Sequence, residues 1–353
     1  MATPKTCADL GITNDELTKR ENLRFYNIME EPFRIYGMTH DGEWFVRMPK
    51  DVAATVNGGV AGMYRHTTGG RVRFVTDAPY LAFFAKGGFN SVGMNRTSIA
   101  ASGFDVYIER TGFDTFAGVF RPPYGSFDRY DGVLGLPAGE KKITINFPLT
   151  NAVSELWLGV EEGAALTRRE DYAYEKPVLF YGSSITHGIG ASRPGIAYPG
   201  YISRRLNTNF VNLGFSGSAK AEDTMIAYLT EQDPSVFVLD YDHNALNSEH
   251  LAATHEKLYL AFRAAHPDTP VVMIGRPDFH LTSQGDIDRR DVIFATYRNA
   301  RARGEKVLFV DGYSLFHGEM RDDCTVDGCH PNDVGMMRMA DVIGKAVEFA
   351  LSM

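Results

Sequence analysis

Up to about residue 170, apolar and polar residues alternate along the chain with a period of two, as where Val72 and Phe74 alternate with Arg71 and Arg73. This pattern is typical of strands that bury one face, and it recurs over residues 104–108, 143–147 and 156–160. Turn signals separate the runs, namely Asn57-Gly58-Gly59, Gly69-Gly70, Gly87-Gly88, Pro122-Pro123 and Pro137-Ala138-Gly139. A helical period is visible only near Asp15 to Glu21. Short strands at this spacing predict an all-β sandwich of the jelly-roll kind.

After residue 176 the pattern changes to short continuous apolar runs, over residues 178–181, 210–213, 236–239, 271–274 and 307–310. Continuous runs favour strands that are buried on both faces of a parallel sheet. Helical spacing predicts a helix from Ser248 to Ala265 between two of these runs. Asn332 and Asp333 are good N-cap residues for a last helix that ends near Leu351. Five strands that alternate with helices predict a three-layer α/β domain.

A chain of 353 residues is too long for one ordinary hydrophobic core, so the change of pattern predicts two domains. The charged segment from Thr167 to Asp171 is the predicted linker. We therefore expect a β-sandwich domain over residues 1–170 and an α/β domain over residues 171–353.

The net charge of −8 argues against a nucleic acid or an anionic membrane as a partner, because both require clustered positive charge. No apolar stretch approaches the length of a membrane span. The first residues, Met1 to Lys5, lead into polar sequence without an apolar signal region. We expect a cytoplasmic protein, although a secreted protein without its leader would look the same.

Three cysteines, Cys7, Cys324 and Cys329, are too few and too scattered for a disulfide framework or a zinc site. We predict that the three cysteines are reduced thiols. A disulfide between Cys324 and Cys329 is the alternative. The sequence makes no prediction of oligomeric state.

Candidate chemistry lies where the predicted parallel strands end, because ligands bind outside the carboxyl ends of such strands. The strand-end loops contain residues 182–188, 212–218 and 240–245, and residues 325–332 precede the last helix. Together they offer a serine, a glycine, an asparagine, and an aspartate three residues before a histidine. Acyl transfer needs this set, because imidazole activates a serine hydroxyl, a carboxylate orients the imidazole, and N–H donors stabilise the oxyanion.

These loops resemble the conserved blocks of the SGNH (GDSL-like) hydrolases. Gly182-Ser183-Ser184-Ile185-Thr186-x-Gly188 is similar to the first block, Gly-Asp-Ser-Ile/Leu-Thr-x-Gly, and Asn212-x-Gly214-x-Ser216-Gly217 is similar to the second. Asn244 stands where the third block has its asparagine, and Asp327-x-x-His330-Pro331-Asn332 is similar to the fifth. Two departures are Ser183 in place of aspartate, and Asp242-His243-Asn244-Ala245 in place of Gly-x-Asn-Asp. The Ser-Ser variant resembles a branch with an N-terminal β-sandwich, many members of which look like carbohydrate esterases.

The resemblance implies a flavodoxin-like SGNH fold and an esterase that needs neither metal nor cofactor. Ser184 is the expected nucleophile, His330 its general base and Asp327 the orienting carboxylate. The expected oxyanion hole consists of the N–H groups of Ser184 and Gly217 and the side-chain amide of Asn244. By analogy the substrate is a small-molecule or glycan ester, with an acetyl group on a sugar as the favoured case.

Each of these residues also has a plainer interpretation. Ser184 is a possible helix N-cap and Ser183 a rival nucleophile, although the register of the first block selects Ser184. Asp327 and His330 are possible turn and cap residues, Gly217 is a possible turn glycine, and Asn244 is a possible helix cap. A metal site of His187, His243, Asp240 and Asp242 is disfavoured, because the hydroxyl nucleophile already explains the serine loop.

His187, His243 and Arg276 are candidates for substrate contact, with Arg276-Pro277-Asp278 ending the fourth strand. The aromatic stretch from Phe113 to Tyr130 either fills the sandwich core or offers a surface on which a sugar stacks. A related function is an acyltransferase with the same acyl-enzyme, and an unrelated one is a carbohydrate-binding protein with an inactive hydrolase domain. A Gly-x-Ser-x-Gly elbow of the α/β-hydrolase kind is absent, because Thr186 occupies the final position.

Overall fold

A computed structural model of the protein describes residues 3–93, 95–277 and 283–353. The chain forms two compact units. The first contains Met1–Arg47, Arg65–Asp171 and Ser192–Gly195, and the second contains Met48–Tyr64, Tyr172–Ala191 and Ile196–Met353. Neither unit is a single stretch of sequence, because the chain leaves the first unit at Met48 and returns at Arg65.

The first unit is built almost entirely from antiparallel strands. The strands are β1 (Leu23–Asn27), β2 (Arg34–Tyr36), β3 (Thr39–His40), β4 (Phe45–Val46), β5 (Arg71–Thr76), β6 (Tyr80–Asn90), β7 (Phe104–Arg110), β8 (Phe113–Phe120), β9 (Ser126–Gly135), β10 (Lys141–Asn146), β11 (Ala152–Glu161) and β12 (Leu166–Thr167). They form a four-stranded sheet, β1-β11-β6-β9, a six-stranded sheet, β12-β5-β10-β7-β8 with β2 also on β5, and the hairpin β3-β4. Its short helices are α1 (Cys7–Leu10), α2 (Asp15–Thr18) and α5 (Ser98–Ser102).

The sandwich core lies between the two larger sheets, where alternate side chains such as Phe74 on β5 and Phe83 on β6 pack together. The next residue, Phe84, faces the other way and packs against Leu10 and Leu17 of the N-terminal helices. Both faces of β6 are therefore covered. The expected polar face of β5 is also buried, since Arg71 and Arg73 are almost inaccessible to solvent.

Two predicted breaks in the sandwich are wrong. Gly87 and Gly88 lie inside β6 at a shift in its register, because a bulge lets the strand continue where the glycines indicated a turn. The predicted linker is part of the sandwich. Thr167 belongs to β12, and the buried guanidinium of Arg169 lies 3.0 Å from Glu109 Oε2 and 2.8 Å from Asp114 Oδ1.

The second unit is a three-layer α/β fold around a parallel sheet, as the sequence predicts. Strands β13 (Tyr174–Gly182), β14 (Thr208–Gly214), β15 (Val236–Asp240), β16 (Val271–Ile274) and β17 (Val307–Val310) have the order β14-β13-β15-β16-β17. The helices are α3 (Lys50–Val56), α4 (Gly58–Met63), α6 (Ser184–His187), α7 (Tyr198–Leu206), α8 (Asp223–Thr230), α9 (Ser248–Ala265), α10 (Gln284–Ala302) and α11 (Asp333–Leu351). Helices α7 and α11 pack together in one layer, and α8, α9 and α10 pack in another.

The predicted helix bounds in this unit are confirmed, since α9 spans Ser248–Ala265 and α11 begins after its N-cap Asn332. Helices α3 and α4 were not predicted, and the Asn57-Gly58-Gly59 signal marks the junction between them. No helix among the described residues is both long enough and apolar enough to cross a lipid bilayer. The strand order brings the carboxyl ends of β13, β14 and β15 side by side, and these ends carry the candidate site.

Candidate active site

The turn after β13 presents Ser184 at the start of α6. Ser183 is the N-cap of this helix, because its side-chain oxygen accepts a hydrogen bond from the Ile185 N–H at 3.2 Å. Ser184 is therefore the first helical residue and has no capping role. It is half-exposed, whereas its neighbours Ser183 and Ile185 are buried. The structure thus distinguishes the two serines, and the accessible hydroxyl belongs to Ser184.

The loop before α11 presents Asp327 and His330 together. Two backbone hydrogen bonds join the two sides of this loop. The Val326 N–H donates to the His330 carbonyl at 2.9 Å, and the Asn332 N–H donates to the Cys324 carbonyl at 2.9 Å. Asp327 Oδ1 accepts the backbone N–H of His330 at 2.8 Å, which closes a tight turn. The carboxylate is therefore both a turn residue and the orienting group for the imidazole that follows it.

Ser184, His330 and Asp327 form one hydrogen-bonded chain. The distance from Ser184 Oγ to His330 Nε2 is 2.9 Å, and the distance from His330 Nδ1 to Asp327 Oδ2 is 2.7 Å. A carboxylate can only accept, so Nδ1 carries the proton and Nε2 offers its lone pair to the serine hydroxyl. The side chains of His330 and Asp327 are 19% and 35% exposed, so the chain is open to solvent on one side.

The three groups that the sequence predicts for an oxyanion hole are all available as donors. Gly217 is exposed and has φ of +69°, a conformation that few side chains tolerate. Asn244 accepts the Ala219 N–H through Oδ1 at 3.2 Å, which leaves its Nδ2 to point elsewhere. Across the described part of the chain, no acceptor lies on the Ser184 N–H, the Gly217 N–H or Asn244 Nδ2.

Two family models match the chain, one in each unit. Residues 175–348 match the GDSL-like lipase/acylhydrolase family, and residues 23–166 match the N-terminal region of SGNH-hydrolase-type esterases. The chain belongs to the SGNH (GDSL-like) hydrolases. Both units of this SGNH hydrolase are thus covered by family matches, and its activity class is that of an esterase or acylhydrolase.

Solved structures share the architecture of this SGNH hydrolase over most of its length. A protein from Bacteroides ovatus named as a GDSL-like lipase is 28% identical, with a TM-score of 0.83 over 94% of this chain and 98% of that one. A salicylyl-acyltransferase of a tetracycline biosynthetic pathway is 20% identical, with a TM-score of 0.72 over 93% and 97% of the two chains. An acetyl xylan esterase from Butyrivibrio proteoclasticus is 14% identical, with a TM-score of 0.63 over 94% and 99%. No curated protein compared with the sequence matches it significantly.

Asn212, from the second motif of the SGNH hydrolase, fixes the serine turn to β14. Its Nδ2 donates to the Thr186 carbonyl at 2.7 Å, and its Oδ1 accepts the Gly214 N–H at 2.8 Å. Gly214 lies so close to α6 that a Cβ atom would come within 2.3 Å of the His187 nitrogen. Only glycine allows this approach. Asn212 and Gly214 of the second motif therefore help to fix the conformation of the first motif, which contains Ser184.

The buried carboxyl of Asp240, which sequence analysis considered only as a possible metal ligand, contacts the serine turn. Asp240 Oδ2 accepts hydrogen bonds from Thr186 Oγ1 and from the Tyr198 hydroxyl, each at 2.8 Å. Burial raises the pKa of Asp240 to about 7, and the nearby charge of Asp242 adds to the rise, although the two hydroxyl hydrogen bonds lower it. The only sequence signal was its position at the end of β15.

A second buried contact supports the turn that carries Asn244. Asp242 Oδ1 accepts from Arg289 Nε at 3.0 Å, and Asp242 Oδ2 accepts the Arg276 N–H at 3.0 Å. Sequence analysis also missed Arg289, which lies on α10, far from any motif. The carboxylates of Asp240 and Asp242 are thus bound by hydroxyl and guanidinium groups.

The predicted substrate-contacting residues have different outcomes. Burial excludes His187 from direct contact, because its ring is inaccessible and Ser216 Oγ lies 3.3 Å from its Nδ1. His243 is half-buried next to Asn244 and stays a candidate for substrate contact.

The Arg276 guanidinium forms an ion pair with Asp286, so a substrate would compete with that carboxylate. Asp278 lies outside the described residues.

Among the residues that the structure describes, no group of three or more His, Cys, Asp or Glu side chains is arranged to hold a metal ion. All three cysteines are unbridged thiols, so the possible bridge between Cys324 and Cys329 is not formed. Burial raises the pKa of the Cys329 thiol, and the charge of Asp327 adds to the rise. A neutral thiol beside the candidate site is a poor nucleophile.

The aromatic stretch that sequence analysis left undecided divides into two groups. Phe120 and Tyr130 belong to the sandwich core. Phe113, Phe116 and Tyr124 are exposed, and Tyr124 is 87% accessible. The core interpretation is therefore confirmed for the first group, and sugar stacking on the exposed group stays a prediction.

Proposed function

We propose that this SGNH hydrolase is a serine esterase that removes a small acyl group, with acetyl as the favoured case, from a carbohydrate ester. The proposal depends above all on the unbroken hydrogen-bonded chain from Ser184 through His330 to Asp327. A carbohydrate-binding protein with an inactive hydrolase domain would not need that chain. The unpaired donors at Ser184, Gly217 and Asn244 support the same activity.

In the first step, His330 Nε2 takes the Ser184 proton while Ser184 Oγ attacks the ester carbonyl carbon. Asp327 keeps the proton on Nδ1 and stabilises the imidazolium that forms. The carbonyl oxygen becomes an oxyanion, which accepts from the N–H groups of Ser184 and Gly217 and from Asn244 Nδ2. One such preorganised donor contributes roughly 3 kcal/mol to lowering the barrier. Collapse expels the alcohol, which receives the proton from His330, and leaves an acyl-Ser184 ester.

In the second step, water takes the place of the departed alcohol. His330 removes a proton from that water, the resulting hydroxide attacks the acyl carbon, and the same donors bind the second oxyanion. The carboxylic acid leaves, and the proton returns from His330 to Ser184 Oγ. The enzyme needs no external cofactor for either step.

The substrate class comes from what similar structures are named and from the first unit of this chain. An acetyl xylan esterase shares the fold over 94% of the chain, which makes a sugar acetate the first substrate to test. Exposed Phe113, Phe116 and Tyr124 are the kind of aromatic surface on which sugar rings stack.

A second candidate is an acyltransferase, because a salicylyl-acyltransferase shares the fold over 93% of the chain. The acyl-Ser184 intermediate would be the same, and an alcohol would replace water in the second step. Product analysis with and without an added acceptor alcohol distinguishes the two. A free acid as the main product, whatever the acceptor, supports the esterase.

The proposal is tested with p-nitrophenyl acetate, with longer-chain p-nitrophenyl esters and with a panel of acetylated sugars. We expect release of acetate from at least one sugar, faster turnover of acetyl than of longer esters, and unchanged rates in the presence of a chelator. Ser184→Ala should abolish turnover. Full activity in that variant would refute the serine mechanism, and loss of activity in chelator would restore a metal site to consideration.

A further inference from the structure

The second unit contains a pair of helices that the chain supplies long before the rest of that unit. Helices α3 and α4 lie within Met48–Tyr64, between two stretches of the sandwich unit, yet this segment packs in the α/β unit. The rest of this unit begins only at Tyr172, so these seventeen residues come from far upstream in the sequence. The contacts of the junction between the two helices indicate what they contribute.

Asn57 sits at this junction and uses its side-chain amide in two directions. Its Oδ1 accepts the Val60 N–H at 2.9 Å and so caps α4. Its Nδ2 donates to the Ser218 carbonyl at 3.0 Å and to Glu222 Oε1 at 2.6 Å. One side chain therefore fixes both the start of α4 and the loop that follows β14.

Gly59, two residues later, touches the same loop through its backbone. A Cβ atom built at Gly59 would lie 1.9 Å from Ser218 Oγ and 2.8 Å from Ser218 Cβ. Only the absence of a side chain allows α4 to approach Ser218 this closely. Gly62, on the same helix, has open space at the corresponding position.

Ser218 lies between the two residues that bring the proposed oxyanion donors into place. Gly217 carries one donor, and the Ala219 N–H donates to Asn244 Oδ1 at 3.2 Å, so Asn244 Nδ2 stays available as a donor. A shift of the Ser218 carbonyl would move both neighbours, because they share its peptide groups.

We infer that Asn57 is a positioning residue for the oxyanion hole, and that the helix pair α3–α4 sets the conformation of residues 214–219. The inference rests on the proposed function, since it assigns a purpose to the donors used there. Asn57 touches no reacting atom and acts only through Ser218. Misplacing catalytic groups by about 1 Å costs on the order of a hundredfold in rate, so losing this contact should be visible in kcat.

The first test replaces Asn57 by serine, which still caps a helix but cannot reach Ser218 and Glu222 as a donor. We expect kcat for p-nitrophenyl acetate to fall about tenfold or more with KM nearly unchanged, because the donors act on the transition state. Affinity for phenylboronic acid, whose tetrahedral adduct with Ser184 resembles that state, should fall in parallel. The control is Thr224→Val, which removes a different contact of the helix pair, the 3.2 Å bond from Thr224 Oγ1 to the Thr55 carbonyl.

The second test compares Gly59→Ala with Gly62→Ala, which make the same change on the same helix. The methyl group at residue 59 should push Ser218 away and lower kcat, whereas the methyl group at residue 62 should leave it unchanged. Alanine favours the helix at both positions, so a difference in kcat does not reflect helix propensity. This pair keeps the inference testable if Asn57→Ser does not fold.

The outcomes separate this inference from the proposed function. Activity of Ser184→Ala would remove the function itself, whatever Asn57 does. If wild-type activity depends on Ser184 but Asn57→Ser and Gly59→Ala keep wild-type kcat and boronic acid affinity, the positioning role is wrong. A lowered melting temperature in these variants with unchanged kcat would also overturn it, because it would show a purely structural role.

Discussion

Arg289 Nε donates to Asp242 Oδ1 at 3.0 Å, and both side chains are almost completely buried. The same guanidinium donates to the Ala245 carbonyl at 2.8 Å. Arg289 therefore binds a residue before Asn244 and a residue after it, and so stabilises the turn that carries Asn244. A planar guanidinium suits this task, because its donors are fixed in a fork that a lysine cannot reproduce.

Replacing Arg289 by methionine should lower the free energy of unfolding by about 3–5 kcal/mol, because the Asp242 carboxylate would stay buried without its cation. Urea denaturation measures this change. Arg290→Met is the matched control on the same helix, since Arg290 pairs with Asp311 near the surface. An exposed pair contributes about 1 kcal/mol or less. Equal losses of unfolding free energy in the two variants would contradict the distinction between the buried and the exposed ion pair.

Ser183→Ala tests whether the two adjacent serines have separate roles. Ser183 caps α6, so its loss should cost about 1 kcal/mol of stability and leave most of the activity. Ser184→Ala should retain stability and lose about 10⁴-fold or more in kcat. Steady-state kinetics and thermal unfolding of both variants check the assignment, and the reverse result would make Ser183 the nucleophile.

Asp327→Asn should lower kcat by about 10⁴-fold at neutral pH, because an amide can donate to Nδ1 and hold the imidazole in the wrong tautomer. Stability should change little, since the asparagine oxygen can still accept the His330 N–H that closes the turn. Asp323→Asn, an exposed aspartate just before the same loop, is the control and should keep full activity. A small effect of Asp327→Asn would show that His330 is oriented by other groups.

Asp240 predicts a specific pH dependence of stability. Its folded-state pKa is raised to about 7, above the value near 4 that is usual for an unfolded chain. The folded protein therefore binds more protons between these values, so stability falls as pH rises from about 4 to about 7 and then levels off. The slope from this group is roughly 1 kcal/mol per pH unit.

Asp240→Asn keeps a hydrogen-bond acceptor for Thr186 and Tyr198 and removes the ionisation. Relative to the wild type, this variant should gain stability as pH rises from 5 to 8. Urea denaturation at several pH values measures the difference. A difference that does not change with pH would mean that Asp240 ionises in the folded protein as it does in the unfolded chain.

Much of the α/β unit follows from local sequence, because strands buried on both faces need continuous apolar residues. The runs 271–274 and 307–310 are the full extents of β16 and β17, and Ser248 to Ala265 is the full extent of α9. Asp327 and His330 were also predictable, because three residues is the separation that one tight turn closes with a carboxylate.

Other features depend on what each segment packs against. Arg71 and Arg73 match the polar face of a strand, yet neighbouring segments cover that face. His187 follows Ser184 by three residues, in the same short helix, but its ring is buried in the interior. Gly87 and Gly88 indicate a turn, and pairing with β11 keeps them in a strand.

The sequence by itself determined the two classes of architecture, the loops at the strand ends and the residue types for acyl transfer, because each is encoded in a short local pattern. Only the tertiary structure decided which distant groups support them. Asn57 and Arg289 have no motif of their own, and their positions beside Ser218 and Asp242 arise from chain segments that are 161 and 47 residues apart. Contacts of that kind depend on packing across the whole unit, which no local pattern records.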